Sequence, residues 1–587
     1  MLTTTKQIEL ATPTIDIANP LTISQSAGAT KSIVATTPSL SLPVFWSGPI
    51  TLAKDGVIGA QNDGTALYIG SVNLAGKALK FIGDGDTYQL DTGVISGAGT
   101  LDIDAVGDGN SFVDLRGSNT YTGSTTVRSG SRVILEHDNA LGSTAGDTYV
   151  ESGATISVSS DTTNLQIPEN ISISGSGQGG NYSGGAFTNE TNLSNQHNHS
   201  FSGTITLTGD TDIDLVGTVS AELSFDGEIK GTGNLTFNGS HSYDVLVLNH
   251  PNTFNGNITV NGGVLGASDN NVIPKDITVK DSPTADGMLS LDGTTNAISD
   301  DAKISLDASN GGVTLNIDAG TSETIGSLEG SGQPNVNMTP TSSLTINNST
   351  GSSTSNDVEF TGGGTITKVG TGTQTLTGDC SDNAQFNVNA GTLMTTSGFG
   401  AGTNCDATIN GGILKAAGEW SNITGTSGTF ATGNSPGTVS ITGDLSLSSG
   451  MTFEQEIDGA TAGTQYDQTV VTGNVALGNA TLLIDPSYNP TAGTVFTIVK
   501  ADGNITGTFA GLADGNSVTA NGLTFRVNYT NNAVTLTYLS GTITGSGTPN
   551  TGIQKNNNLR NIVVIASLFV LSVLGVIYSE KKKKAHK

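Results

Sequence analysis

Cations, aromatics and cysteines are all scarce in this chain of 587 residues. Lys and Arg number 23 against 51 Asp and Glu, a formal charge of −28. The shortage is uneven. From Ile553 onward seven basic residues (Lys555, Arg560, Lys581, Lys582, Lys583, Lys584, Lys587) accompany one acid, Glu580, which leaves 16 basic and 50 acidic residues elsewhere, net −34. Such a body repels nucleic acid and anionic lipid, so a nucleic-acid partner is excluded and the excess charge serves the solubility of an exposed surface. Aromatics make up 5% of the chain, too few for a core of stacked rings, whereas columns of Val, Ile and Leu suffice for a narrow β interior. Two cysteines rule out a disulfide-dense scaffold. Charged residues amount to only 13%; a polar chain of this kind is disordered unless apolar residues recur regularly, and here they do. Met1 to Pro43 has no charged segment followed by an apolar run, so no secretory leader is visible. The reading adopted is a chain whose start lies upstream, with residues 1–44 as worn, Thr-rich repeat material.

Glycine is abundant, 80 residues, and short alternating runs bounded by Gly, Asn and Asp read as strands joined by tight turns. Ile95-Ser96-Gly97-Ala98-Gly99-Thr100-Leu101 is followed by Thr120-Tyr121-Thr122-Gly123-Ser124-Thr125-Thr126-Val127. Ile229-Lys230-Gly231-Thr232-Gly233-Asn234-Leu235 and then Thr253-Phe254-Asn255-Gly256-Asn257-Ile258-Thr259-Val260 repeat both halves at nearly the same distance. A third copy runs from Gly364 to Leu393. Units too small to bury their own apolar face, recurring along the chain, predict a solenoid in which each coil covers the next. At roughly 20 to 25 residues per coil and about 4.8 Å per stacked strand, residues 45–433 would form a rod on the order of 80 Å long.

The spaced pattern Gly-x-Gly-x-Leu, then Thr-Tyr-x-Gly-x-Thr-x-Val, then Gly-x-Leu resembles the autotransporter-associated β-strand repeat, and the likeness covers most of Gly93 to Tyr538. The resemblance implies a right-handed parallel β-helix in an exported, extended, non-enzymatic bacterial surface protein. From Gly433 the strands lengthen and carry bulkier residues, which suits a β-rich module over residues 434–540 that closes the last coil, since an uncapped solenoid exposes strand edges and bare core. No amphipathic strand series of the kind that builds an outer-membrane barrel follows.

The tail carries a second signal. A polar linker, 541–561, contains Thr548-Pro549-Asn550-Thr551-Gly552; then come Ile562 to Tyr578, 17 residues without a charge, and a basic end, 579–587. The apolar run predicts one transmembrane helix, and the lysines after it place that end in the cytoplasm and the acidic body outside. The order resembles the cell-wall sorting signal of Gram-positive-type bacteria, with Thr548 where that pattern has Leu. By this resemblance a sortase would cleave between Thr551 and Gly552 and join the chain to peptidoglycan.

Catalytic motifs are met only by letter. Gly433-Asn434-Ser435-Pro436-Gly437 spells a nucleophile elbow, but Pro436 lacks the N–H that would bind an oxyanion. Gly175-Ser176-Gly177-Gln178-Gly179-Gly180 spells a dinucleotide fingerprint, yet no helix follows it. His197 and His199 lack a third ligand at metal spacing. Asp210, Asp212 and Asp214 alternate along one strand, and Asp84 and Asp86 share a turn, which reads as a solvated acidic face rather than a calcium roll. Of five arginines, Arg116, Arg128 and Arg132 fall within one repeat, and none adjoins a dense acidic cluster in sequence. Cys380 and Cys405 stand one approximate coil apart, either as a disulfide or as two free thiols.

The expectation is therefore all-β: a β-helix over residues 45–433, the β-rich cap, and one transmembrane helix. The chain would be a structural or adhesive protein of the bacterial envelope, without catalytic residues, metal or cofactor. It would present a Thr- and Asn-rich face, and a loop from Gly175 to Ser200, to surface glycans or to proteins of a host or neighbouring cell. The alternative is a β-helical polysaccharide lyase or glycoside hydrolase, which needs convergent carboxylates with a nearby cation.

Overall fold

The computed structural model describes residues 2–4, 7–11, 15–24, 32–36 and 43–543, except 62–64, 85–87, 107–110, 160–163, 179–183, 192–197, 218–219, 294, 356, 401–403 and 434–435. Every described element is a strand. Among the described residues no helix is long and apolar enough to cross a membrane; the predicted span Ile562–Tyr578 and the sorting-like residues 548–552 lie outside them.

The strands stack as a parallel β-solenoid of the right-handed type, as the repeat predicts. The turns contribute strands to three ladders, except between Ile95–Ser96 and Gln166–Ile167, where the described strands supply only two. One ladder pairs Ile33 with Ile58, Ile58 with Phe81, Phe81 with Ile103, Ile103 with Val127, and so on through Val150 and Ile173 to Leu207. A second pairs Trp46 with Ile69 and Val113 with Val133, then Ile156 with Phe187, Ile213 with Phe237 and Val260 with Val279. The third includes Phe201, Phe225, Leu248, Ala267, Leu291, Ile317 and Met338. Equivalent positions in neighbouring turns lie from 16 to 36 residues apart, most often 23 or 24.

Within each strand alternate side chains point inward, because Cβ atoms alternate across a strand. The inward set forms one continuous core from Leu10 to Tyr538. Scarce aromatics lie inside it: Phe187, Phe201 and Phe225 meet edge-on or tilted with ring centroids 5.2–5.9 Å apart, and Phe386, Phe399 and Trp420 likewise at 4.9–5.6 Å. The Gly-x-Gly of the repeat also has a cause. A Cβ on Gly99 would strike the carbonyl oxygen of Lys77, and one on Gly233 would strike that of Gly209, so both corners require glycine for turns to stack.

Parallel pairing runs on through Gln468–Val471 with Val495–Ala501 and Val475–Ala476 with Ile505–Thr506. The direction then reverses. Val495–Ala501 pairs antiparallel with Ala533–Gly541, which pairs with Leu523–Tyr529, which pairs with Ser517–Ala520. This meander adds antiparallel strands beside the last rungs, limiting the open strand edge that a solenoid end would otherwise present.

Candidate functional surface

Because the inward residues are committed to the core, any function resides in the outward columns and the corners. The second ladder carries one unbroken outward column: Phe45, Tyr68, Asp91, Asp114, Ile134, Ser157, Thr188, Asp214, Asn238, Asn261, Lys280, Asp307 and Ser331. Two stretches of it, a near one from Phe45 to Asp114 and a far one from Asp214 to Asn261, differ in chemistry.

In the near stretch Phe45 and Tyr68 stack at 4.8 Å, followed by two aspartates on adjacent rungs. Asp91 and Asp114 are 3% and 2% exposed along their side chains, although they point away from the core. Arg116 joins them: its Nε donates to Asp114 Oδ2 at 2.7 Å, its NH2 lies 3.4 Å from Asp91 Oδ2, and Nε lies 3.5 Å from Glu136 Oε2. The amide of Gln89 donates to both oxygens of Asp91. Loss of hydration pushes Asp91 up to about 6 against the pull of Arg116. It pushes Asp114 higher still, with the charge of Glu136 adding to the shift. Two of the three arginines of one repeat, Arg116 and Arg128, thus meet acids in space. Arg128 binds Asp102 and Glu151 at 2.8 Å each, and Arg132 is buried over the ring of Phe112. Tyr68, Asp91 and Asp114 recur every 23 residues, one turn apart; that spacing is the sequence signal for the cluster, and a search for local motifs passes over it.

In the far stretch amides replace acids. Asn238 Nδ2 donates to Asp214 Oδ1 at 2.5 Å, and Asn261 Nδ2 donates to Asn238 Oδ1 at 2.8 Å. Burial pushes Asp214 up to about 6, moderated by the bond from Asn238. Beside this column a groove of about 510 Å³ opens. Asp212, Thr236 and Thr259 form its floor on successive rungs, and Asp210, Asn234 and Asn257 its corner, with Gly175 and Ser176 on the rung before Asp212. The corner residues hold one another: Asp210 Oδ1 accepts the backbone N–H of Asn234 at 2.9 Å, and Asn234 Oδ1 accepts that of Asn257 at 2.9 Å. Asp210, Asp212 and Asp214 therefore do not act as one face. Asp210 braces a corner, Asp214 heads the amide column, and Asp212 lines the groove.

Other sequence candidates find structural uses. His199 is buried and its Nδ1 accepts the backbone N–H of Leu165 at 3.1 Å; His197 lies outside the described residues. Among the described residues no three His, Cys, Asp or Glu gather as a metal site. The stretch Gly175 to Ser200, expected to be a protruding loop, contains Phe187–Thr191 and Asn198–Phe201, which pair in the ladders; only residues 179–183 and 192–197 fall outside the description. Phe187 and Phe201 supply the core contacts that draw this polar stretch in. Cys380 and Cys405 form a disulfide with Cα atoms 6.4 Å apart. Gly177 has φ of 73°, and Gly179 and Gly180 of the same fingerprint lie outside the described residues. Asp86, residues 434–435 and the side chain of Asp84 are outside the described set.

No family model matches the chain, and no curated protein matches it. The resemblance to the autotransporter-associated repeat therefore rests on the spaced residues quoted above. Among solved structures the chain is similar to the crystal structure of the Haemophilus influenzae Hap adhesin, at 12% identity and a TM-score of 0.32, with 88% of this chain covered. The match spans 64% of that adhesin's length.

Proposed function

We propose that this chain is a bacterial surface protein of structural and adhesive function, holding its β-solenoid outside the cell as an extended platform for contact. The single observation that carries the reading is the continuous core from Leu10 to Tyr538. It needs nothing from the outward columns, which leaves them free to display Thr, Asn and Asp at a fixed rise from rung to rung. The acidic charge keeps such a surface soluble and the tail supplies the attachment: Ile562–Tyr578 in the membrane, or wall transfer through Thr548 to Gly552 by a sortase. Surface glycans, or proteins of a host or neighbouring cell, are the partners this display suits.

The enzymatic reading draws on Asp91, Asp114 and Arg116, which do converge. Both carboxylates are nearly closed to solvent beneath Arg116, and a general acid must reach the oxygen it protonates. The cluster suits a structural role better, and the chain is read as non-enzymatic. The test is expression of the full chain in a Gram-positive host. Protease added to intact cells is expected to remove the acidic body, and attachment to a target surface is expected to rise over cells lacking the chain. A body protected until the cells are lysed would overturn the proposal.

A further inference from the structure

We infer that the groove floored by Asp212, Thr236 and Thr259 is a binding site for a neutral saccharide about two sugar rings long. The inference deepens the adhesive reading by assigning its ligand class, and it rests on that reading.

The lining sets the chemistry. The groove's volume of about 510 Å³ falls in the range of small-ligand sites. Among the described residues neither a cation nor an aromatic or aliphatic side chain lines it. An anionic ligand such as a uronate, sulfate ester or phosphate would face Asp210 and Asp212 with no counter-charge, on a strongly acidic body. An apolar ligand would desolvate carboxylates and hydroxyls without pairing them. A divalent cation would find two carboxylates, and Asp210 is already engaged by both the backbone N–H and the side-chain amide of Asn234, at 2.9 and 3.0 Å. A ligand dense in hydroxyls, each both donor and acceptor, satisfies this surface.

The free groups are also placed in order. Among the described residues no hydrogen bond occupies the side chains of Asp212, Thr236 or Thr259, whereas Asp210 and Asn234 are spent on bracing the corner. Asp212 pairs with Thr236, and Thr236 with Thr259, so carboxylate, hydroxyl and hydroxyl rise one rung at a time. The rise of a rung, about 4.8 Å, is close to the length of one sugar ring, so a linear glycan lying along the solenoid would meet a new polar group at each ring. The Asp212 carboxylate can accept two neighbouring ring hydroxyls in one fork. Ser176 follows Gly175 on the rung before Asp212, and Asn257 stands at the corner beside Thr259. The corner bonds hold the floor rigid before a ligand arrives, which lowers the entropy lost on binding.

The test uses the purified full chain on an array of neutral, acidic and amino-bearing oligosaccharides, followed by titration of the best ligand. Neutral di- or trisaccharides are expected to bind, with EDTA without effect. Asp212→Asn, and separately Thr236→Val with Thr259→Val, are expected to weaken binding at least tenfold at an unchanged melting temperature. Thr314→Val, on the outward face of the third ladder, is expected to leave binding unchanged. Absence of neutral-glycan binding, binding that requires calcium, preference for acidic or amino-bearing glycans, or binding indifferent to both groove variants would each overturn the inference. Failure here is separable from failure of the adhesive reading: surface-displayed chain that attaches cells while the purified chain ignores glycans would sink the ligand and leave adhesion standing.

Discussion

One outward column of the solenoid is built twice, by two chemistries. At Asp91 and Asp114 two like charges sit on adjacent rungs; at Asp214, Asn238 and Asn261 an acid is followed by amides. A rung spacing of about 4.8 Å brings equivalent side chains into contact whether or not they attract. Amides tolerate this because each can donate upward and accept from below, which is the bonding found from Asp214 to Asn261. Carboxylates cannot. The near stretch therefore requires a cation from a strand corner, Arg116, together with retention of protons, and Ile134 on the next rung ends the run. The backbone assigns neighbours by turn, and the side chains must then find terms on which to coexist.

The largest break in this comparison is expected from Arg116→Met. Removing one member of a buried ion pair costs about 3–5 kcal/mol, and the half-exposed, water-screened guanidinium lowers the figure to about 2 kcal/mol at pH 8. The loss is expected in the denaturant midpoint and in protease cleavage within residues 88–136, and it should shrink at pH 5 as the acids take up protons. An equal loss at both pH values would show that Arg116 acts through packing and not charge.

Next in size is the pH dependence. Burial raises Asp91 to about 6, Glu323 to about 7, and Glu169 and Asp467 to about 8, from ordinary carboxylate values near 4. A raised acid makes the folded state bind the proton more tightly than the unfolded chain, so its contribution is complete below about pH 4 and is lost as pH climbs through the folded value. The melting temperature should therefore rise as pH falls from 8 to 5, by a few degrees, at about 1 °C per kcal/mol for a body of this length. Asp91→Asn with Asp114→Asn gives the near stretch the chemistry of the far stretch and should flatten part of that slope. An unaltered slope would move its origin to Glu169, Glu323 and Asp467.

Much of the solenoid was legible because its determinants are local. Alternating Ile, Leu and Val mark inward positions, and Gly97-x-Gly99 and Gly231-x-Gly233 mark corners where backbones nearly touch. What escaped reading depends on turn length. Asn170 and Thr204 bond across 34 residues, not 23 or 24; the extra length made Phe187–Thr191 resemble part of a polar loop although Phe187 is fully buried. The Asp91, Asp114 and Arg116 cluster escaped for the converse reason, since Asp91 lies one turn before Asp114 and Arg116 and no local window contains all three. The groove escaped because it depends on which groups the corner bonds leave unoccupied, and those bonds join residues one turn apart.

The smallest effect is expected at the amide column, and it gives the sharpest comparison. Asn238→Ala removes a donor to Asp214 and an acceptor for Asn261, two bonds in a partly exposed place, for a net cost of about 1 kcal/mol. In a stacked array such a loss stays close to the altered rung, because stability is summed from neighbouring turns. Amide hydrogen exchange should therefore quicken over residues 211–215 and 258–261 while residues 88–136 keep their protection. Without the Asn238 bond that moderates it, Asp214 should move further up from about 6 and begin to behave as Asp114 does, with stability that improves toward acid. Asn238→Asp carries the same logic further, placing a second carboxylate beside Asp214 with no arginine at the corner; its cost at pH 8 should exceed that of Asn238→Ala and fall below it at pH 5. If the two variants cost the same at both pH values, like-charge contact between rungs is not what separates the two stretches of the column.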